Sequence, residues 1–149
     1  MKSRAYYQAW AKITAKAIIE FYGLPKLPVR IDAGGWTSFE WNEGRGAIAL
    51  NFDLDELERA YNTKKDNWQR RFGAKYTSLK AFLLQVILHE IKHYSDFLEL
   101  GAIVYAERHE AERYTEHDAR AFEIGADNFA RVHYPEANFF IKEVLRGGD

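Results

Sequence analysis

The sequence predicts an α+β fold in one domain spanning residues 1–149. Long stretches with helical apolar spacing flank three short β-prone runs, and no repeat, low-complexity tract or interdomain linker interrupts them. A chain of 149 residues suits one domain and can bury most of the surface its unfolded form exposes. With 47% hydrophobic and 29% charged residues, it has the composition of a folded protein. The 21 basic and 22 acidic side chains leave a formal charge of -1, so no overall field favours nucleic acid or an anionic membrane, and neither is expected as a partner. Cysteine is absent. That excludes disulfides, thiolate metal sites and a cysteine nucleophile, so any metal site must be built from imidazole and carboxylate.

Residues 3–22 place Tyr6, Trp10, Ile13, Ala17 and Phe21 at helical spacing, and Gly23 and Pro25 end the pattern. This first segment lacks the apolar core and cleavage site of a secretory signal and is too polar for a membrane span, so a cytoplasmic protein is expected. Three β-prone runs follow, at 29–32, 37–41 and 47–53, separated by Gly34-Gly35 and Asn42-Glu43-Gly44. They predict a small antiparallel sheet. In the third run Ile48, Leu50 and Phe52 alternate with Ala47, Ala49 and Asn51, the pattern of a strand with one apolar face. Trp36 and Trp41 are expected to pack in the core or across the hairpin. A short helix is predicted from Leu54 to Tyr61. Arg59 to Lys80 then carries seven basic residues and one acid, Asp66, and reads as a solvated loop.

Thr77 or Ser78 can cap the next helix, which reaches its stop at Gly101. From Ala81 to Leu88 it is apolar on nearly every side and must be buried all round. A further helix is predicted from Glu107 or Tyr114 to His133, and Pro135 opens a last one through Leu145, before Gly147-Gly148.

The central helix contains His89-Glu90-Ile91-Lys92-His93. Two His at i and i+4 share one helical face and can reach one zinc ion, while Glu90 between them projects beside the open coordination position. There it can act as a general base toward water activated by the metal. With five His and 14 Glu in the chain, chance placement gives only about 0.015 such matches. A third ligand must come from His109, His117, His133 or a carboxylate. Glu123 stands one helical turn before Asp127, with Gly125 and Ala126 small enough for close approach to the central helix. Phe122, Phe129 and Val132 are available to pack beneath. Asp127 can accept the free ring N–H of a ligating His. Asp96, three residues beyond His93, is a further acid near that face.

Together HEIKH and EIGAD resemble the gluzincin metallopeptidases, whose HExxH helix is followed by a helix carrying a Glu ligand and an Asp. Small size and the 30-residue step from His93 to Glu123 resemble the minigluzincins and the compact HExxH proteins encoded near phage and mobile-element repressors. The resemblance implies a zincin-like fold with an N-terminal helix, small sheet, active-site helix, glutamate helix and C-terminal helix. It also implies zinc held by His89, His93 and Glu123, with Glu90 catalytic and Asp127 supporting a ligand. Glu116 would serve instead of Glu123 if the helix register moved by seven residues, and Glu123 is preferred because it alone has an Asp four residues on. His117 as third ligand would give a three-His site like that of the SprT-type proteases. Tyr114, His117, His133 and Tyr134 are the residues able to stabilise an oxyanion. Zincins bind substrate as an added strand, and residues 47–53 are the candidate edge. The expected activity is therefore peptide-bond hydrolysis, with a peptide or protein as substrate. The alternative is a zincin-like sensor or latent regulator without general proteolysis, its cleft covered by residues 135–149. No residue pattern specifies an oligomeric state.

Overall fold

The fold was described from a computed structural model covering residues 2–41, 48–72 and 78–145. The Asn42-Glu43-Gly44 turn, Ala47, Thr77 and Gly147-Gly148 lie outside the described residues. Among those described, the chain forms an α+β structure of six α-helices, one 3-10 turn and a three-stranded mixed sheet. None of these helices is long and apolar enough to cross a membrane.

Helix α1 (Arg4–Phe21) begins at Ser3, whose hydroxyl accepts the Tyr6 N–H, and the chain turns away through Gly23 at φ 69°. Its buried stripe is Trp10, Ala11, Thr14, Ala15, Ile18 and Ile19, whereas Ile13 and Phe21 are exposed. The predicted helix is present, but the predicted apolar face is rotated. Small Ala and Thr side chains allow close approach to the core, so the helix packs through them.

Strands β1 (Val29–Ile31), β2 (Ser38–Trp41) and β3 (Ile48–Phe52) form a sheet in the order β1-β3-β2. β2 runs antiparallel to β3, but β1 pairs with β3 in parallel, so the sheet is mixed rather than antiparallel. The cause is the connection: the chain leaves β1, crosses to the opposite edge to form β2, and returns as the central strand. β3 is thus paired along both edges, and with Ala49, Leu50, Asn51 and Phe52 all buried it is covered on both faces as well. Asn51 tolerates burial by donating from Nδ2 to the carbonyls of Gly34 and Trp36. Because β3 is central, it cannot be the free edge that residues 47–53 were expected to supply. That edge is β2.

Asp53 caps α2 (Leu54–Thr63) by accepting the Glu56 N–H. Within the basic stretch Arg59–Lys80, residues 65–72 form a further helix, α3 (Lys65–Phe72), rather than a loop, while residues 73–77 lie outside the described residues. It is held by Trp68, whose ring meets Phe82 edge-on at 5.5 Å, and by Arg71.

Central helix α4 (Leu79–Leu100) starts at Ser78, whose hydroxyl accepts the Ala81 N–H, and stops at Gly101 with φ 81°. Residues 82–91 are buried without interruption, as the apolar run requires. Directly after Gly101, α5 (Ala102–Ala111) forms without a side-chain cap; a 3-10 turn (His117–Ala119) then leads to α6 (Ala121–Val144). The two helices expected on either side of Pro135 are thus one. Pro135 sits on its exposed face, where a missing backbone donor leaves only a solvent-side carbonyl to be hydrated. The inner face of α6 presents Ala126, Ala130, Ala137 and Ile141 to the core. Gly125 and Val132 do not join it: a side chain at Gly125 would meet open space, and Val132 is exposed.

Candidate metal centre

The candidate site lies where the middle of α4 faces the first turns of α6. His89, Glu90 and His93 are buried on α4, and their donor atoms lie within 4.8 Å of one another, so this group could hold a metal ion. His89 Nε2 and His93 Nε2 are 3.2 Å apart. Glu123, in the first turn of α6, reaches both, with Oε1 3.1 Å from His89 Nε2 and Oε2 2.8 Å from His93 Nε2. One turn later Asp127 Oδ1 accepts from His89 Nδ1 at 2.8 Å. The i, i+4 spacing puts both carboxylates on the same side of α6.

These contacts constrain what can occupy the centre. With its Nδ1–H given to Asp127, a neutral His89 presents a lone pair at Nε2 toward a carboxylate and a second imidazole nitrogen. Acceptors converge there at 2.8–3.2 Å, so a proton or a cation must lie between. Imidazole and carboxylate are a donor set for a divalent ion, and the residues therefore fit a metal.

Without a metal, protons carry that role. Burial lowers the affinity of His89 for a proton, but the bonds to Asp127 and Glu123 outweigh it and raise the pKa to about 10. Burial acts in the opposite sense on Glu123, yet the bonds from His89 and His93 hold its carboxyl far below the usual range. Asp127 is lowered in the same way, against burial, by His89 and Arg71.

Arg71 is the residue that sequence reasoning missed. Its Nε and Nη2 donate to the two oxygens of Asp127, each at 3.0 Å, and its Nη1 lies 3.6 Å from Asp118. The guanidinium stacks 4.2 Å from the centre of the Trp68 ring. In a run of seven basic residues nothing singles out Arg71 except Trp68 three positions earlier, a spacing that puts both on one helical face.

Glu90 points toward the sheet, where its Oε1 accepts the backbone N–H of Phe39 at 3.0 Å, while Oε2 is 3.8 Å from His89 Nε2. Ladder bonding alternates along β2, and Phe39 is a position whose backbone faces away from β3 and into the cleft. The cleft has a volume of about 450 Å³ and is lined by Trp36, Trp41, Trp68 and Tyr105 besides the site residues. Trp36 is 77% exposed at its rim rather than packed as expected, whereas Trp41 packs edge-on against Tyr105.

Other candidates are dispersed. Glu116 is exposed, and no contact joins it to the centre among the described residues. His117 lines the cleft, with Nε2 3.2 Å from Glu123 Oε1. His109 also lines it, wedged between Trp41, Tyr105 and Phe122, with Nε2 buried and lacking a hydrogen-bond partner among the described residues. His133 pairs with Glu136 and packs on Phe129, while Tyr114 is almost fully exposed. Asp96 accepts from Lys92 at 2.7 Å and borders a different cavity. No protein-family model matches the chain, and neither a curated protein nor a solved structure does.

Proposed function

We propose that the protein is a zinc-dependent peptidase of gluzincin type with a zincin-like fold. The observation that carries this reading is the meeting of His89, His93 and Glu123 at one buried point with a fourth polar group, Glu90, turned toward an open cleft. A purely structural pair of helix histidines needs no such carboxylate from a distant helix.

In this reading His89, His93 and Glu123 hold the ion, and Asp127 fixes the tautomer and direction of the His89 ring. Zinc bound there would lower the pKa of water toward neutrality and polarise a substrate carbonyl. Glu90 accepts the proton of the attacking water and returns it to the leaving amine. The outward edge of β2 can take an extended peptide by backbone hydrogen bonding, with the aromatic walls receiving alternate side chains. Binding there would require the Phe39 N–H to exchange Glu90 for the substrate, which frees the carboxylate when substrate arrives.

The test uses three variants. Wild type is expected to bind one zinc per chain and to cleave members of an unstructured peptide library. Glu90→Gln should keep the zinc and lose cleavage. Glu123→Ala should lose most of the zinc affinity, whereas Glu116→Ala should not. Wild type that neither copurifies with zinc nor shifts its melting temperature on zinc addition would overturn the reading. Zinc binding without cleavage of any peptide would favour a sensor or latent regulator instead.

A further inference from the structure

Three imidazoles, not two, surround Glu123. His117 comes from the 3-10 turn before α6, and its Nε2 stands 3.2 Å from the Glu123 oxygen that His89 Nε2 also approaches, at 3.1 Å. Its other nitrogen, Nδ1, is 3.0 Å from Asp118 Oδ1. Asp127 makes the same contact with Nδ1 of His89. A ring N–H given to a carboxylate is the usual outfit of a metal-ligating histidine, because it fixes which nitrogen presents its lone pair. His93 lacks that support among the described residues, its Nδ1 being buried with no partner there. By this measure His117 is the better equipped of the two.

The turn that carries His117 is braced from three sides. Arg120 donates to the carbonyls of Thr115 and Arg113 at 3.1 and 3.2 Å, Glu112 accepts the Ala121 N–H at the start of α6, and Arg71 approaches Asp118. Arg71 therefore touches both aspartates that hold imidazole rings. Yet the His117 side chain is 62% exposed, while those of His89 and His93 are 5% and 8% exposed.

We propose that His117 is a fourth, displaceable protein ligand of the metal centre, so that the resting site is closed and becomes open to water or substrate only when His117 withdraws. This rests on the metal-site reading above. Three protein ligands leave the open position that hydrolysis requires, whereas four close it, as in sites whose role is structural. Two of the imidazoles are locked in a continuous helix and cannot leave. His117 sits on a three-residue turn at the cleft mouth, where an anionic or carbonyl ligand entering the cleft can replace it. The device makes hydrolytic competence depend on occupancy of the cleft.

Cobalt-substituted protein tests this without recourse to activity. Wild type, His117→Ala, Asp118→Asn and His89→Ala are loaded with Co(II), and their visible absorption is recorded alone, with azide and with free imidazole. His117→Ala is expected to show a changed ligand-field spectrum, to bind azide at least tenfold more tightly than wild type, and to recover the wild-type spectrum with free imidazole. Asp118→Asn should lie between them. Zinc affinity should fall about tenfold or more in His117→Ala, by analogy with the loss of groups that orient a ligand. Far-UV circular dichroism confirms folding of each variant, an undemanding condition for so exposed a side chain. If spectra, azide affinity and zinc affinity of His117→Ala all match wild type while His89→Ala abolishes binding, the fourth-ligand proposal fails and the metal site stands. If wild type binds neither cobalt nor zinc, both fail.

Discussion

Replacing Arg71 isolates the contribution of a residue that touches no metal yet holds one end of the site. Its side chain is 13% exposed and makes two parallel 3.0 Å bonds to Asp127, whose own side chain is 9% exposed. In Arg71→Ala that carboxylate keeps, among the described residues, His89 as its partner. Charge-assisted hydrogen bonds contribute about 1.5–3 kcal/mol each, and the paired geometry shares one carboxylate, so a loss of about 3 kcal/mol is expected. For a chain of this size that corresponds to a fall of about 6–12 °C in melting temperature. Metal affinity should drop about 10–100-fold, because Asp127 would no longer be held where it orients His89. Arg71→Lys should recover part of the stability but little of the affinity, since an ammonium cannot grip both oxygens. Calorimetric melts of the metal-free protein and competitive zinc titration measure the two effects separately. Unchanged melting and unchanged affinity in Arg71→Ala would refute the argument that this ion pair positions the centre.

One further outcome concerns the titration of the site and another the middle of α6. His89 in the metal-free protein has a pKa raised to about 10, so its stabilising contribution is complete below the unfolded value near 6.5 and is lost as pH rises toward 10. Glu123 and Asp127 are depressed, so their contribution is present above about pH 4.5 and is lost as pH falls below that range. Metal-free protein should accordingly melt highest between about pH 5 and 6.5 and lower at pH 9, with zinc abolishing the alkaline loss; a flat profile from pH 6 to 9 would contradict these assignments. Pro135→Ala should raise stability by about 1–3 kcal/mol, since an exposed proline inside α6 forfeits a backbone hydrogen bond, while leaving zinc affinity unchanged.

What the sequence reveals and what it hides divide along physical lines. The central helix was legible because Ser78, a run apolar but for Gln85, and Gly101 mark its start, burial and stop by local rules. His89, His93, Glu123 and Asp127 were legible because i, i+4 spacing on two helices predicts which side chains share a face, and the structure brings those faces together. Arg71 was hidden because its role depends on α3 lying against α6, which no local pattern encodes. The parallel pairing of β1 was hidden because the order of strands in a sheet is a tertiary choice. Pro135 misled because a proline suits the first turn of a helix, and only the exposed position it occupies in α6 makes it tolerable in the middle. The helix expected from Glu107 or Tyr114 to His133 is two, α5 and α6 parted by the 3-10 turn, and the start of α5 was hidden because it has no capping side chain and follows α4 across a single glycine.

Helix α6 is unbroken from Ala121 to Val144, and that continuity ties the site to a distant anchor. Glu123 and Asp127 occupy its beginning, while Ala137 and Ile141 are seated in the core near its end. Each residue of helix advances the direction of a side chain by about 100°, so a one-residue insertion or deletion between Asp127 and Ala137 would swing one end out of phase with the other. Either the core residues or the two carboxylates would then face solvent. The ten-residue interval from Asp127 to Ala137 thus acts as a keyed shaft: free to change many of its side chains, it is held to a fixed length by the chemistry at one end and the core at the other.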